Sequence, residues 1–171
     1  MHIRQETKAD YQEVYALIQS AFQTVAHSDK TEQDLVAALR DGPAFIKELS
    51  LVAEKDGKLV GYILFTKIKI GNQTELALAP LAVLPDYQKK GIGTALIKQG
   101  HAIAKMLGYH CAVVLGSPHY YPRAGYRPAN GYGIFAPFDV PPENFMVCAF
   151  DPSASLPSGV VQYAPEFGIS Q

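Results

Sequence analysis

The stretch LAVLPDYQKKGIGTAL, residues 81–96, joins the end of an apolar strand to a loop with two glycines and then to the start of a long helix. The first backbone N–H groups of a helix have no intrahelical partner, and they lie at the positive end of the helix dipole. Gly91 and Gly93 remove side chains that would keep a diphosphate away from those groups. The stretch therefore predicts an anion-binding loop.

Other side chains of the loop agree with that prediction. Lys89 and Lys90 add positive charge, and the Thr94 hydroxyl adds a hydrogen-bond donor. Two familiar glycine patterns do not fit: Leu96 occupies the third glycine of the dinucleotide fingerprint, and the Gly-Lys-Ser/Thr ending of a P-loop is absent.

Working outward from this loop, hydrophobic periodicity, capping residues and turn residues predict the remaining elements. They are a strand at 3–6, helices at 8–22 and from 31 to about 41, a hairpin of 49–54 and 59–70, a central strand at 75–84, a helix at 92–107, and strands at 111–115, 144–150 and 160–163. Pro80 cannot donate a ladder hydrogen bond, so we expect a bulge or splay in the central strand.

The order strand, helix, strand around the loop predicts a right-handed crossover and hence one parallel pair of strands. The hairpins make the other neighbours antiparallel. We therefore expect an α/β (α+β) fold with a mixed, mostly antiparallel central sheet flanked by helices. The main domain covers residues 1–150, and residues 151–171 form a short C-terminal extension packed on it.

Composition describes an ordinary folded domain. The 171 residues are 48% hydrophobic and 18% charged, which excludes a mainly disordered chain. The chain shows neither a signal-peptide pattern nor a membrane-length apolar run, so we expect a soluble, cytoplasmic protein with no membrane partner, either monomer or homodimer. A net charge of −1 argues against nucleic-acid binding.

Charge is unevenly distributed along the chain. Between Asp86 and Asp139 there are six basic residues and no acidic one, which leaves a net −7 for the remainder. A solvated basic surface would account for this run, but its coincidence with the glycine loop favours an anionic ligand.

Three motifs carry a resemblance to a known family. Residues 88–93, QKKGIG, resemble the Gln/Arg-x-x-Gly-x-Gly/Ala signature of the GNAT superfamily of acyl-CoA-dependent N-acyltransferases. Residues 83–85 resemble the Val-x-Pro end of the strand before that signature, and residues 121–126 resemble its later Tyr-x-x-x-Gly-Phe/Tyr element. The C-terminal tail is similar to that of the YhbS-like subgroup of predicted N-acetyltransferases.

The resemblance implies acetyl-CoA as co-substrate, with parallel strands that splay around it. Cofactor contacts would come from the backbone of Leu81, Ala82 and Val83 toward pantetheine, and from Gln88, Lys89, Lys90, Gly91, Ile92, Gly93 and Thr94 toward the diphosphate. An N–H of the strand would also stabilise negative charge on the thioester oxygen. The implied reaction is direct transfer of acetyl to a primary amine in a ternary complex.

Two residues are candidates for proton transfer. Tyr121 matches the general acid that protonates the departing thiolate in this family; otherwise it is an aromatic wall residue. Glu75 is the candidate base, acting directly or through water, whereas the alternative is a solvent-exposed carboxylate at a strand end with a water chain as proton acceptor. His101 and His119 are expected to be packed or surface side chains.

No metal is expected, because Cys111 and Cys148 lie in apolar runs and no zinc-type spacing occurs. The acceptor amine, a small molecule or a protein amine, is not identified by the sequence. Aromatic residues predicted near its entry include Tyr11, Tyr15, Phe22, Tyr120, Tyr132, Phe135 and Phe138. A non-catalytic acyl-CoA-binding or regulatory module, or an enzyme using a longer acyl-CoA, are the alternative functions.

Overall fold

The chain folds into one central sheet with helices on both faces, and the computed structural model describes residues 1–169. The helices are α1 (Tyr11–Phe22), α2 (Glu32–Arg40) and α3 (Ile92–Met106). The longer strands are β1 (His2–Gln5), β2 (Ser50–Lys55), β3 (Lys58–Ile70), β4 (Gln73–Val83), β5 (Cys111–Leu115), β8 (Phe145–Ala149) and β9 (Gly159–Gln162). Two further strands, β6 (Arg127–Pro128) and β7 (Ile134–Phe135), contain two residues each.

The main path of the sheet runs β1-β2-β3-β4-β5-β8-β6. Along it every neighbouring pair is antiparallel except β4 and β5, which are parallel as α3 crosses between them. The predicted mixed, mostly antiparallel sheet flanked by helices is therefore confirmed. The strand β9 of the C-terminal extension pairs with β3 through Lys69↔Gln162 and Ile70↔Val161.

Local sequence explains most element boundaries. The hairpin between β2 and β3 turns at Asp56 and Gly57, which both have positive φ (53° and 76°), as a tight right-twisted hairpin requires. The predicted helix over 8–22 begins as a 3-10 turn at Lys8–Asp10 before α1. The strands β6 and β7 were not predicted, because two residues are too few to show a period.

Alternation along β3 divides the core between the two faces of the sheet. Tyr62 and Leu64 pack beneath α1 and α2, whereas Ile63 and Phe65 pack beneath α3. All four side chains are fully buried. Burial on both faces explains the continuous apolar run at 59–65, whereas the end of the strand, residues 67–70, alternates between exposed and buried side chains.

Candidate active site

The bulge predicted at Pro80 is present in β4. Ile63 of β3 pairs with Leu81 and Phe65 pairs with Leu78, so two steps along β3 are matched by three along β4. The extra residue lies at Ala79 or Pro80, where proline removes a ladder donor. The bulge turns the last residues of β4 relative to its first half.

Beyond the bulge, no strand within residues 1–169 pairs with the edge of β4 that faces β5. The two strands pair only at Leu76↔Ala112 and Ala77↔Val113, while β5 continues along β8 to Leu115. The splayed parallel pair is therefore confirmed. Leu81, Ala82 and Val83 remain paired with β3 on their other side. An extended chain with amide groups can align along such an open edge.

The glycine loop starts where this open edge ends. A 3-10 turn at Pro85–Tyr87 leads to exposed Lys89 (φ 62°) and Lys90, and Gly91 (φ 85°) is the N-cap of α3. The backbone N–H of Ala95 donates to the carbonyl oxygen of Gly91 at 3.0 Å. It is the first N–H of the helix with an intrahelical partner, so the N–H groups of residues 92–94 point toward the loop. These groups are free hydrogen-bond donors at the positive end of the helix dipole, beside two lysines, which is the arrangement that an anion needs.

Gln88 lies between the open strand edge and the loop. Its side-chain amide donates to the carbonyl oxygen of Val83 at 3.0 Å. A carbonyl oxygen has two lone pairs, so Val83 keeps one acceptor position for a further donor. Gln88 thereby fixes the loop to the strand end, which is a more specific geometry than its motif indicated.

Tyr121 begins a 3-10 turn, Tyr121–Ala124, that follows β5. Its ring packs on the backbone of Gly116, where a Cβ would overlap the ring edge, and it contacts the Tyr126 ring edge-on at 5.7 Å between centroids. Burial raises the pKa of Tyr121, which keeps the phenol protonated at neutral pH. The structure thus holds a protonated hydroxyl-bearing side chain next to the open end of β5.

Tyr120 is one of the aromatic residues predicted near the entry of the acceptor amine. Its ring packs with the cluster on the α3 side of the sheet and lies edge-on to Tyr121 at 5.0 Å between centroids. The other residues of that group are dispersed. Tyr132 and Phe135 are about half exposed, and Phe138 packs against Phe145.

Glu75 lies at the opposite end of the paired segment from the glycine loop, and the expectation of an exposed strand-end carboxylate is wrong. The residue has no exposed surface. One carboxylate oxygen accepts from the backbone N–H groups of His110 (2.8 Å) and Cys111 (3.2 Å). The other oxygen lies 2.9 Å from His110 Nδ1 and accepts from Gln73 Nε2 at 2.8 Å. Both oxygens are therefore engaged in holding the start of β5.

His110 is the residue of this cluster that the sequence analysis missed. It lies 35 positions from Glu75, and no local pattern connects the two. The signal that could have found it is the parallel register: Leu76 pairs with Ala112, so Glu75 lies beside Cys111 and its predecessor.

Of the remaining nucleophilic and titratable candidates, Cys111, Cys148 and His101 are packed side chains. Cys111 and Cys148 are buried free thiols, and burial raises their pKa values to about 12 and about 11. His101 Nε2 lies 2.8 Å from the Tyr126 hydroxyl, and burial lowers the His101 pKa to about 4. His119 is exposed. Among residues 1–169, no three His, Cys, Asp or Glu side chains are grouped to hold a metal ion, and no helix is both long and apolar enough to span a membrane.

Comparison with known proteins identifies the class that this fold and site define. The acetyltransferase (GNAT) family profile matches residues 11–126. A GNAT family acetyltransferase from Brucella melitensis, solved in complex with acetyl-CoA, is 36% identical with a TM-score of 0.81, and the match covers 97% of each chain. YhbS from Escherichia coli, solved in complex with CoA, is 27% identical with a TM-score of 0.88 over 98% of this chain and 91% of that one.

Two sequence relatives carry the same class name. The uncharacterized N-acetyltransferase YjhQ of Escherichia coli (strain K12) is 39% identical over 127 residues, which are 71% of this chain and 70% of that protein. The uncharacterized N-acetyltransferase YhbS of the same strain is 30% identical over 171 residues, or 98% of each chain. The chain belongs to the GNAT acetyltransferase family, and its similarity to YhbS in sequence and structure agrees with the predicted subgroup.

Proposed function

We propose that this protein is an acetyl-CoA-dependent N-acetyltransferase that acts on a primary amine. The single observation that carries the proposal is the continuity between two features. The open edge of β4 beyond Ala77 leads directly into the free N–H groups at the start of α3. An amide-containing arm attached to a diphosphate needs both features in this order, and the relatives solved with acetyl-CoA or CoA support the same ligand.

The residues present fit such a ligand. The loop 88–94 offers backbone donors and the charges of Lys89 and Lys90 to a diphosphate. Leu81 and Val83 offer backbone groups to the pantetheine amides at the open edge, whereas the N–H and C=O of Ala82 point toward Tyr62 of β3. When bound, acetyl-CoA supplies an acyl thioester as the reactive group.

The protein's own groups would act on the transfer as follows. A backbone N–H at the end of β4 polarises the carbonyl oxygen and stabilises the charge that builds on it. The neutral amine forms the new C–N bond as the C–S bond breaks. Tyr121 donates its proton to the departing sulfur, the nitrogen releases a proton to water, and water returns a proton to Tyr121 before the next turnover. Transfer is direct, because burial keeps the thiols of Cys111 and Cys148 protonated and unreactive.

Calorimetry tests the ligand first. Purified protein is titrated with acetyl-CoA and with CoA, and NAD and ATP serve as controls. Micromolar binding of the CoA compounds with no binding of the controls is the expected result. Absence of CoA binding would overturn the proposal.

Activity is then measured as thiol release from acetyl-, propionyl- and succinyl-CoA in the presence of small amines and amine-bearing peptides. Amine-dependent release fastest with acetyl-CoA supports the proposal. Faster release from a longer acyl-CoA identifies another acyltransferase, and tight binding without turnover across the amines identifies a binding module.

A further inference from the structure

Gly93, in the first turn of α3, is packed against a hydroxyl group. A Cβ built at this position would lie well under 3.0 Å from the Tyr120 hydroxyl oxygen, a distance that real Cβ atoms do not show. The next atoms are at ordinary contact distances: Tyr120 Cζ at 3.5 Å and Leu81 Cδ2 at 3.6 Å. The Tyr120 hydroxyl therefore occupies the space that the missing side chain leaves.

This contact spans the gap between the splayed strands. Tyr120 follows β5, Leu81 lies in the part of β4 that does not pair with β5, and Gly93 is the second residue of α3. The empty Cβ site of Gly93 is thus bordered by side chains from both of the other elements of the cofactor cleft. The sequence pattern quoted above admits alanine at the position of Gly93, so the pattern alone does not require glycine there; the Tyr120 hydroxyl does.

The position of the hydroxyl relative to the anion site follows from helix geometry. Cα–Cβ bonds in a helix tilt toward its N-terminus, so an atom at the Cβ site of Gly93 lies on the side to which the free N–H groups point. The Tyr120 hydroxyl is held against a glycine, which has no side chain to bond it, so its O–H can be directed at a ligand. An O–H directed at an anionic oxygen makes a short, charge-assisted hydrogen bond.

We infer that Tyr120 is a cofactor-positioning residue whose hydroxyl, held against Gly93, donates a hydrogen bond to the diphosphate of the acyl-CoA. Its role differs from that of Tyr121, which acts at the sulfur end of the same ligand. The inference rests on the proposed function for the identity of the ligand, whereas the contact between Tyr120 and Gly93 is independent of it.

A double-mutant cycle without ligand tests the contact. Gly93→Ala is expected to lower the melting temperature by several degrees, and Tyr120→Phe in the same chain is expected to restore most of the loss, because the nearest atom then becomes Cζ at 3.5 Å. Gly91→Ala is the matched control: a Cβ there meets nothing within 4 Å, so Tyr120→Phe should not rescue it. Equal destabilisation by Gly93→Ala with and without the Tyr120 hydroxyl would overturn the contact.

Binding tests the role. For Tyr120→Phe we expect about a tenfold increase in the Kd of CoA, as for a lost hydrogen bond to a charged group. The affinity for pantetheine, which lacks the diphosphate and is titrated to millimolar concentration, should not change. Tyr132→Phe, at a half-exposed position, is the matched control and should change neither.

The outcomes separate the two proposals. A wild-type protein that does not bind CoA overturns the proposed function and this inference with it. A wild-type protein that binds CoA with an affinity equal to that of Tyr120→Phe overturns this inference alone. An equal loss for CoA and pantetheine places the hydroxyl on the arm rather than on the diphosphate and overturns it as well.

Discussion

The two ends of the β4–β5 pair have opposite constructions. At the closed end the buried Glu75 carboxylate accepts from the backbone N–H groups of His110 and Cys111 and from Gln73 Nε2, and it lies 2.9 Å from His110 Nδ1. At the open end the strands part after Ala77↔Val113, and the gap is bordered by tyrosines and by the glycine loop. A ligand cleft between parallel strands needs both constructions, because strands that separate at one end must be held firmly at the other.

The largest effect is expected at the open end. Tyr121→Phe removes the hydroxyl that we propose protonates the departing thiolate, so kcat should fall about 10²-fold or more. The melting temperature and the Kd of acetyl-CoA should stay within the error of the wild-type values, because the ring and its packing remain. Stopped-assay kinetics measures kcat, thermal denaturation gives the melting temperature, and calorimetry gives the Kd. Wild-type kcat across the pH range would show that another group protonates the thiolate.

The next effect is expected at the closed end. Glu75→Gln removes acceptor capacity for buried N–H donors, so the free energy of unfolding should fall by about 2–3 kcal/mol. Chemical denaturation measures it, with Glu143→Gln at an exposed position as the matched control. The kcat of the folded fraction should remain within a few fold of wild type. A hundredfold loss of kcat in folded protein would instead support the sequence-based prediction that Glu75 is the base.

The stability of the protein in acid should depend on His101 in α3, the helix that connects β4 to β5. The pKa of His101 is about 4 in the folded protein, against roughly 6.5 in the unfolded chain. Above pH ~6.5 the residue is neutral in both states. As the pH falls from there toward 4, the unfolded chain binds the proton first, so stability should drop by up to about 2–3 kcal/mol and level off below pH 4. Denaturation midpoints from pH 8 to 4 measure this drop.

The matched pair for that measurement is His101→Gln and His119→Gln. His101→Gln should flatten the stability profile between pH 6.5 and 4, while His119→Gln, at an exposed position, should keep the wild-type slope. Identical slopes in both variants would assign the acid sensitivity to other groups.

The smallest effect on stability is expected for substitutions at the two glycines that flank α3. Gly91 and Gly108 both have positive φ (85° and 94°), and a Cβ at either meets nothing within 4 Å. Valine at either position should therefore cost about 1–2 kcal/mol of stability through backbone strain alone. Gly91→Val should also weaken CoA binding about tenfold or more, because the loop backbone carries the anion site. A similar loss of CoA affinity in Gly108→Val would remove the distinction between the ends.

Local signals determined the elements and the loop. Capping residues, periodicity and the Gly-x-Gly spacing placed α3 and β5 within a residue or two of their observed bounds, and Pro80 indicated the bulge in β4. These signals depend on a few neighbouring residues, which is why a single sequence carries them. The two-residue strands, and the different packing of the adjacent Tyr120 and Tyr121 against Gly93 and Gly116, carry no such signal.

The sequence by itself determined the class of fold, the anion loop before α3 and the general position of Tyr121. Only the tertiary structure decided that Glu75 is a buried carboxylate that binds the start of β5, and that His110 is one of its partners. The contact between the Tyr120 hydroxyl and Gly93 is likewise visible only in the folded chain. The physical reason is that backbone preferences act over a few residues, whereas burial and side-chain contact depend on strand register and on which elements the chain brings together.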